Sequence, residues 1–200
     1  MTRMLQSIAL GCLAIAGCQR SDNSTPVEPL SGPKSNVERT APLAQPTPTC
    51  VVPLADVAPP MAEPAQHCPP SPEVAVPLRH GTLRFLGGAQ PVIDVELALT
   101  EPEQQRGLMY RTTLGAESGM LFSWQTEQVH TFWMRNTCIP LDMLFIAADG
   151  TIVGILEQVP VLNEETRSVP CPAAHVLEVN AGYCRKHGIA PGQRVRIKSS

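Results

Sequence analysis

The residues best placed to do chemistry gather around Trp133-Met134-Arg135-Asn136-Thr137. Read as an extended strand, this segment alternates. Trp133, Arg135 and Thr137 then face one way, and Met134 and Asn136 the other. Arg106, Arg111 and Asp142 add further polar groups, while Met109, Met120, Phe122 and Trp133 supply apolar walls. A few fixed polar groups among apolar ones is what a small-ligand pocket requires. The plainer reading is structural. Asn and Thr near a strand end often bond only to backbone, Arg111 and Asp142 form an ion pair, and Met109, Met120 and Met134 fill core space.

Catalytic signatures are scarce. The chain has no phosphate-binding glycine loop, no His-Glu-x-x-His and no Gly-x-Ser-x-Gly elbow. Gly115-Ala116-Glu117-Ser118-Gly119 carries its serine one place late. The enzymatic alternative is a hydrolase using Asp142 and Glu178 with Arg111 beside them. The separation of the two carboxylates decides that chemistry, and the sequence does not reveal it. No cofactor is implied. Cys171-x3-His175 and Cys184-x2-His187 have spacings that can serve zinc, but nothing else marks a zinc module, so no metal is expected.

These residues lie in elements that can be read from pattern. Ile93, Val95, Leu97 and Leu99 alternate with Asp94, Glu96 and Ala98, as in a half-buried strand. Thr100-Glu101-Pro102-Glu103 follows, with a threonine cap, a glutamate three places on and a proline in the first turn. That starts a helix, expected to run to about Met109. Residues 119–124 and 131–134 read as strands. Two apolar, β-rich runs, 141–147 and 151–159, flank Asp149-Gly150, a hairpin signal. Residues 176–179 form a further strand, 183–187 a short helix stopped by Gly188, and Val195 and Ile197 a last strand. The sum is α+β: a small β-rich domain with a strongly bent sheet or open barrel and two short helices.

The N-terminal part differs in kind. Arg3 precedes an apolar stretch ending in Leu13-Ala14-Ile15-Ala16-Gly17-Cys18. It is too short to cross a bilayer and has the length of a signal-peptide core. Small residues before a cysteine resemble the bacterial lipobox, which implies cleavage after residue 17 and acylation of Cys18. Several acyl chains anchor stably where one does not. By resemblance to enterobacterial sorting signals, Gln19 after that cysteine favours the outer membrane, in an organism that has one. All eight aromatic residues lie between Phe85 and Tyr183, whereas fourteen of the 21 prolines lie between Pro26 and Pro77. Residues 18–79 therefore read as the lipidated cysteine and a disordered or partly polyproline II tether, and residues 80–200 as one domain. A monomeric domain is expected. The net charge of -3 argues against a nucleic-acid partner.

Of seven cysteines, Cys12 leaves with the signal peptide and Cys18 is acylated. Five remain in a compartment where disulfides persist. Cys138 with Cys171 is the preferred pair. Cys50 with Cys68 would close a loop within the tether, leaving Cys184 as the lone thiol.

Four segments, in order, resemble one family. They are Glu103-Gln104-Gln105-Arg106-Gly107-Leu108-Met109-Tyr110-Arg111; Gly119-Met120-Leu121-Phe122; Phe132-Trp133-Met134-Arg135-Asn136-Thr137-Cys138-Ile139-Pro140-Leu141-Asp142; and Val176-Leu177-Glu178-Val179-Asn180-Ala181-Gly182. Together they are similar to domain-of-unknown-function family 192, over nearly the whole domain. The resemblance implies a small β-rich domain, often exported and sometimes lipid-anchored, without an agreed activity. Cys138 and Cys171 depart from the usual pattern, a further reason to expect a local disulfide.

Three functions follow as expectations. The first is an envelope lipoprotein, anchored to the membrane through Cys18, that binds a small polar ligand such as a sugar or cell-wall fragment. It would use Arg106, Met109, Arg111, Phe122, Trp133, Met134, Asn136, Thr137 and Asp142. The second is the hydrolase on Asp142, Glu178 and Arg111. The third is a structural or protein-interaction module with no small-molecule site.

Overall fold

Alternation of apolar residues sets the architecture, because a strand buries one face per two residues. The computed structural model describes residues 50–87 and 91–199. The signal peptide, Cys18 and the first half of the proline-rich stretch lie outside the described residues. Among the described residues nine strands form: β1 (Arg79–Leu86), β2 (Val92–Ala98), β3 (Ser118–Gln128), β4 (Thr131–Phe132), β5 (Leu141–Ile146), β6 (Ile152–Val159), β7 (Arg167–Ser168), β8 (Ala173–Asn180) and β9 (Arg194–Ser199). Two short helices join them, α1 (Glu101–Arg106) and α2 (Tyr183–His187).

Seven strands make one sheet in the order β6-β5-β8-β3-β2-β1-β9, and β4 pairs with β7. Neighbours run antiparallel except β2 and β3, which are parallel and need the crossover that holds α1. The sheet curls without closing. Thr151, just ahead of β6, bridges Arg194 of β9, and Val195 donates to the Gly150 carbonyl at 2.8 Å.

Each face of the sheet carries its own core. One face gathers residues from all seven strands, among them Leu83, Val95, Leu121, Leu144, Ile152, Leu177 and Val195, with Tyr183 and Cys184 of α2 packed on them. The other holds Met120, Phe122, Met143, Phe145 and Val176 beneath Leu108 and Met134.

Local signals explain most elements. The capping box at α1 is made: Glu103 Oε2 accepts from the Thr100 and Leu99 amides, both at 2.8 Å. The helix stops at Arg106, short of Met109, because Gly107 turns out of it with φ 48° and ψ -135°. In the Asp149-Gly150 turn Gly150 has φ 86°, and a Cβ there would meet the Val195 carbonyl oxygen at 2.5 Å. The Thr151 amide and hydroxyl donate to the Asp149 carboxylate.

Several expectations need correction. The strand expected over 131–134 ends at Phe132, since the chain turns at Met134–Thr137 with Asn136 at φ 54°. The alternation assigned to residues 133–137 therefore does not hold. Strand β1 was not anticipated at all. Among the described residues the disulfides are Cys50–Cys171 and Cys68–Cys138, not Cys138–Cys171 and Cys50–Cys68, and Cys184 is the free thiol.

The physical reason for the different pairing lies in residues 50–78. They form no regular strand or helix, yet they run over the domain as a strap. Val52 donates to the Val153 carbonyl at 2.8 Å and Ala65 to that of Cys138 at 3.0 Å. The Ala62 amide donates to Gln158 Oε1, and Arg185 to the Ala55 carbonyl. Val52 and Leu78 pack on one core and Leu54 on the other. This half of the expected spacer therefore belongs to the folded body, and it carries Cys50 and Cys68 to their partners.

Candidate functional site

The sheet decides which polar residues can meet. In the β5–β8 register Met143 pairs with Glu178, and Asp142 with Val179. Paired residues share a face, so Glu178 points with Met143 and Met120 while Asp142 points the opposite way. Fully buried Asp142 serves α2. Its Oδ1 accepts from the Gln158 and Gly182 amides at 3.0 and 3.1 Å, and Oδ2 from the Cys184 amide at 3.0 Å. A hydrolase pairing Asp142 with Glu178 would need both carboxylates in one cleft, and the fold separates them. Arg111 joins neither. It is held by Glu96, with Nη2 donating at 2.7 Å, and that contact keeps the Glu96 carboxyl below its ordinary range. The expected Arg111–Asp142 pair is thus replaced by Arg111–Glu96.

Glu178 opens instead into a cavity of about 240 Å³, bounded by α1 and by residues 130–137. Phe122 and Trp124 of β3 stand beside it on the face of Met120, with Phe132 and Trp133 opposite. Phe132 meets Phe122 edge-on, with centroids 5.2 Å apart, and Trp124 stacks on His130 at 3.6 Å. Gln104 fixes α1 against the sheet by donating to the Ala98 and Ser123 carbonyls at 3.3 and 3.0 Å. Glu178 as a residue is 5% exposed, and its carboxyl makes no hydrogen bond among the described residues. Burial alone pushes its pKa up to about 8.

The remaining charged groups of this cavity are committed or neutral. Arg106 stands at the rim, donating to Ser71 Oγ at 2.8 Å and the Glu73 carbonyl at 3.3 Å, with its guanidinium over the Tyr110 ring. His130 Nε2 lies 3.0 Å from the Ala173 carbonyl. A carbonyl only accepts, so that nitrogen carries the proton. Burial lowers the His130 pKa and favours the neutral ring. Glu101 also lines the cavity and is exposed.

Of the residues expected to bind ligand, Arg106, Met109, Phe122, Trp133 and Thr137 line this cavity. Met134 does not: it is a core residue, 1% exposed. Asn136 has a different task. Its Nδ2 donates to the Tyr110 hydroxyl at 2.9 Å, and its carbonyl accepts from the Tyr110 amide at 2.8 Å. That double contact locks the chain after α1 to the 133–140 segment. Glu178 lines the cavity as well, although it was expected only as part of the hydrolase. Trp124 and His130 were missed. The alternation Met120, Phe122, Trp124 is a signal for the first; His130 had none. A second hollow, about 460 Å³, lies between residues 71–78 and α1 and shares Arg106, Gly107 and Met109. Among the described residues its walls carry no buried ionisable group. Among the described residues no cluster of His, Cys, Asp or Glu could hold a metal ion.

Chemically, the smaller cavity can hold a compact ligand between aromatic faces and present one carboxyl to it. Among curated proteins none matches the chain. Solved structures do resemble it. One, from Sinorhizobium meliloti 1021, is described as a candidate transcription regulator. It shares 37% identity over 62% of this chain and 98% of its own, with a TM-score of 0.60. Another, a protein of unknown function from Novosphingobium aromaticivorans, shares 37% identity over 68% of this chain and 93% of its own, with a TM-score of 0.59. Residues 84–197 match the family described as uncharacterized ACR, and on that match the chain belongs to domain-of-unknown-function family 192.

Proposed function

We propose that this protein is an envelope lipoprotein whose domain binds a small polar ligand, a sugar or cell-wall fragment, in the cavity over Glu178. One observation carries the reading: a single cavity joins aromatic walls to a buried carboxyl that has no partner among the described residues. Aromatic faces suit the apolar side of a sugar ring, and a carboxyl suits its polar edge. The cavity is below the usual range for drug-sized ligands, so it suits one ring or a short side chain.

The envelope address rests on Arg3, the short apolar core and Cys18. Two disulfides joining the strap to the domain are cross-links that last in oxidising compartments. On this reading the acyl chains on Cys18 hold the protein to a membrane, the outer one by the Gln19 signal, and the proline-rich residues after Cys18 give it reach.

Thermal shifts against a panel of neutral sugars, amino sugars and wall peptides test the binding. Stabilisation by at least one class is expected, and it is expected to weaken in Trp133→Ala. A flat response across the panel would sink the reading. Mass spectrometry of the mature N-terminus tests the anchor, where an unmodified Cys18 would remove it.

A further inference from the structure

Resting on that reading of the cavity, we infer that the ligand group seated against Glu178 is a protonated primary amine. Its arrival drives the carboxyl proton of Glu178 into bulk water, leaving an ammonium–carboxylate pair.

Among the described residues the site holds no cation free to meet Glu178. Glu178 is 5% exposed and unpartnered, on a face where its β3 and β5 neighbours are Met120 and Met143. The titratable groups lining the cavity are Glu101 and Arg106 from α1 and His130 from the segment before β4. Arg106 is engaged by Ser71, Glu73 and Tyr110. His130 spends its Nε2 proton on the Ala173 carbonyl, so among the described residues no cation serves Glu178. An unpaired buried carboxyl stays protonated to minimise its desolvation cost. An incoming ammonium removes that cost.

The walls favour the same ligand. Phe122, Trp124, Phe132 and Trp133 line the cavity, and Arg135 already lies over the Trp133 ring. Ring faces attract a cation more than a neutral hydroxyl. An anion would meet the Glu101 carboxylate, while Arg106 in the same lining is already engaged by Glu73. A compact amine on a polar scaffold satisfies both halves of the site, whether an amino sugar lacking its acetyl group or the side-chain amine of a wall peptide.

Calorimetric titration of the disulfide-bonded protein tests this with matched probes: the glucosamine trisaccharide, its fully N-acetylated form, and an alanyl-lysine peptide. At about pH 5.5 the carboxyl still holds its proton and the probe amines carry theirs. An amine probe is expected to bind about tenfold or more tighter than the acetylated trisaccharide. Its binding heat should vary with buffer ionisation enthalpy as one released proton requires. Preference for the trisaccharide identifies an amino sugar, and preference for the peptide a wall-peptide amine; either supports the inference. Glu178→Gln is expected to abolish proton release and the amine preference while the protein stays folded. Equal binding of acetylated and free-amine trisaccharides, or amine binding without proton release, overturns the inference and leaves the cavity a binding site. Binding by none of the three overturns it too, and the broader reading falls only if the whole panel is silent.

Discussion

Asp142 and Glu178 occupy adjacent strands one register step apart, and their carboxyl groups leave opposite faces of the sheet. The two are both buried, yet they differ in every respect that matters. Asp142 accepts three backbone amides, whereas Glu178 accepts none among the described residues. The first is satisfied as an anion and holds the start of α2 against β6. The second is a carboxyl kept without a partner beside a cavity.

Replacing each by its amide should therefore have opposite results. In Asp142→Asn one oxygen becomes an NH2 that must face a backbone donor. With the site fully buried, a loss of about 2–4 kcal/mol in unfolding free energy is expected. Glu178→Gln swaps a neutral acid for a neutral amide of the same shape and should leave the protein folded. Urea denaturation of the two variants at neutral pH measures the contrast. Equal destabilisation would contradict the assignment of roles.

Stability should also fall with pH through Glu178. Its folded pKa, about 8, lies above the ordinary carboxyl value of 4.5. Between those values the folded state holds a proton that the unfolded chain has released. Its stabilising contribution is full below about pH 4.5, declines by up to about 1.4 kcal/mol per pH unit above it, and levels off beyond about pH 8. In Glu178→Gln this slope should vanish, so the variant matches the parent in acid and exceeds it in base. Urea midpoints from acid to mildly alkaline pH read the difference, and parallel curves would show that Glu178 titrates normally.

How far the sequence revealed this fold depends on whether a signal was local. The capping box of α1, the Asp149-Gly150 turn and the Gly188 stop of α2 are each contained within a few residues, and each was legible. Asn136 in the left-handed region was not, because nothing nearby demands it except Tyr110, 26 residues earlier. Strand β1 was lost at the end of a proline-rich stretch, although Leu83 and Phe85 are core residues. The strap failed for a related reason. Its composition forbids a core of its own, but its few apolar residues borrow the domain's. The site was legible in part: alternation places Met120, Phe122 and Trp124 on one face, whereas the opposite faces of Asp142 and Glu178 need the β5–β8 register.

The nested disulfides yield a third prediction. Cys50–Cys171 spans 121 residues and Cys68–Cys138 spans 70, so each restricts a long loop of the unfolded chain. Cys50→Ser with Cys171→Ser is expected to lower stability by about 2–4 kcal/mol. Peptide mapping without reduction should recover these two pairs. Cys184, fully buried and with its thiol pKa raised by burial, should resist alkylation until denaturant is added. Rapid labelling of Cys184 in the native protein, or recovery of a Cys138–Cys171 peptide, would contradict the pairing.

Gly107 connects the helix stop to the cavity and gives the sharpest test of the site's shape. Its φ of 48° with ψ of -135° is a conformation that side chains strongly disfavour, and an added Cβ would stand 3.2 Å from Phe122 Cζ. Gly188 also has positive φ, 63°, but in the ordinary left-handed region with open space around it. Gly188→Ala should therefore cost roughly 1 kcal/mol and leave ligand binding unchanged. Gly107→Ala should cost more, about 2–3 kcal/mol, because the strain is greater and Phe122 cannot yield freely at 2% exposure. Relief by moving the chain after α1 would shift Met109 at the cavity wall and weaken binding of any ligand held there. Unfolding curves and ligand-induced thermal shifts on both variants separate the two costs. If Gly107→Ala binds as the parent does, α1 and its exit do not shape the site.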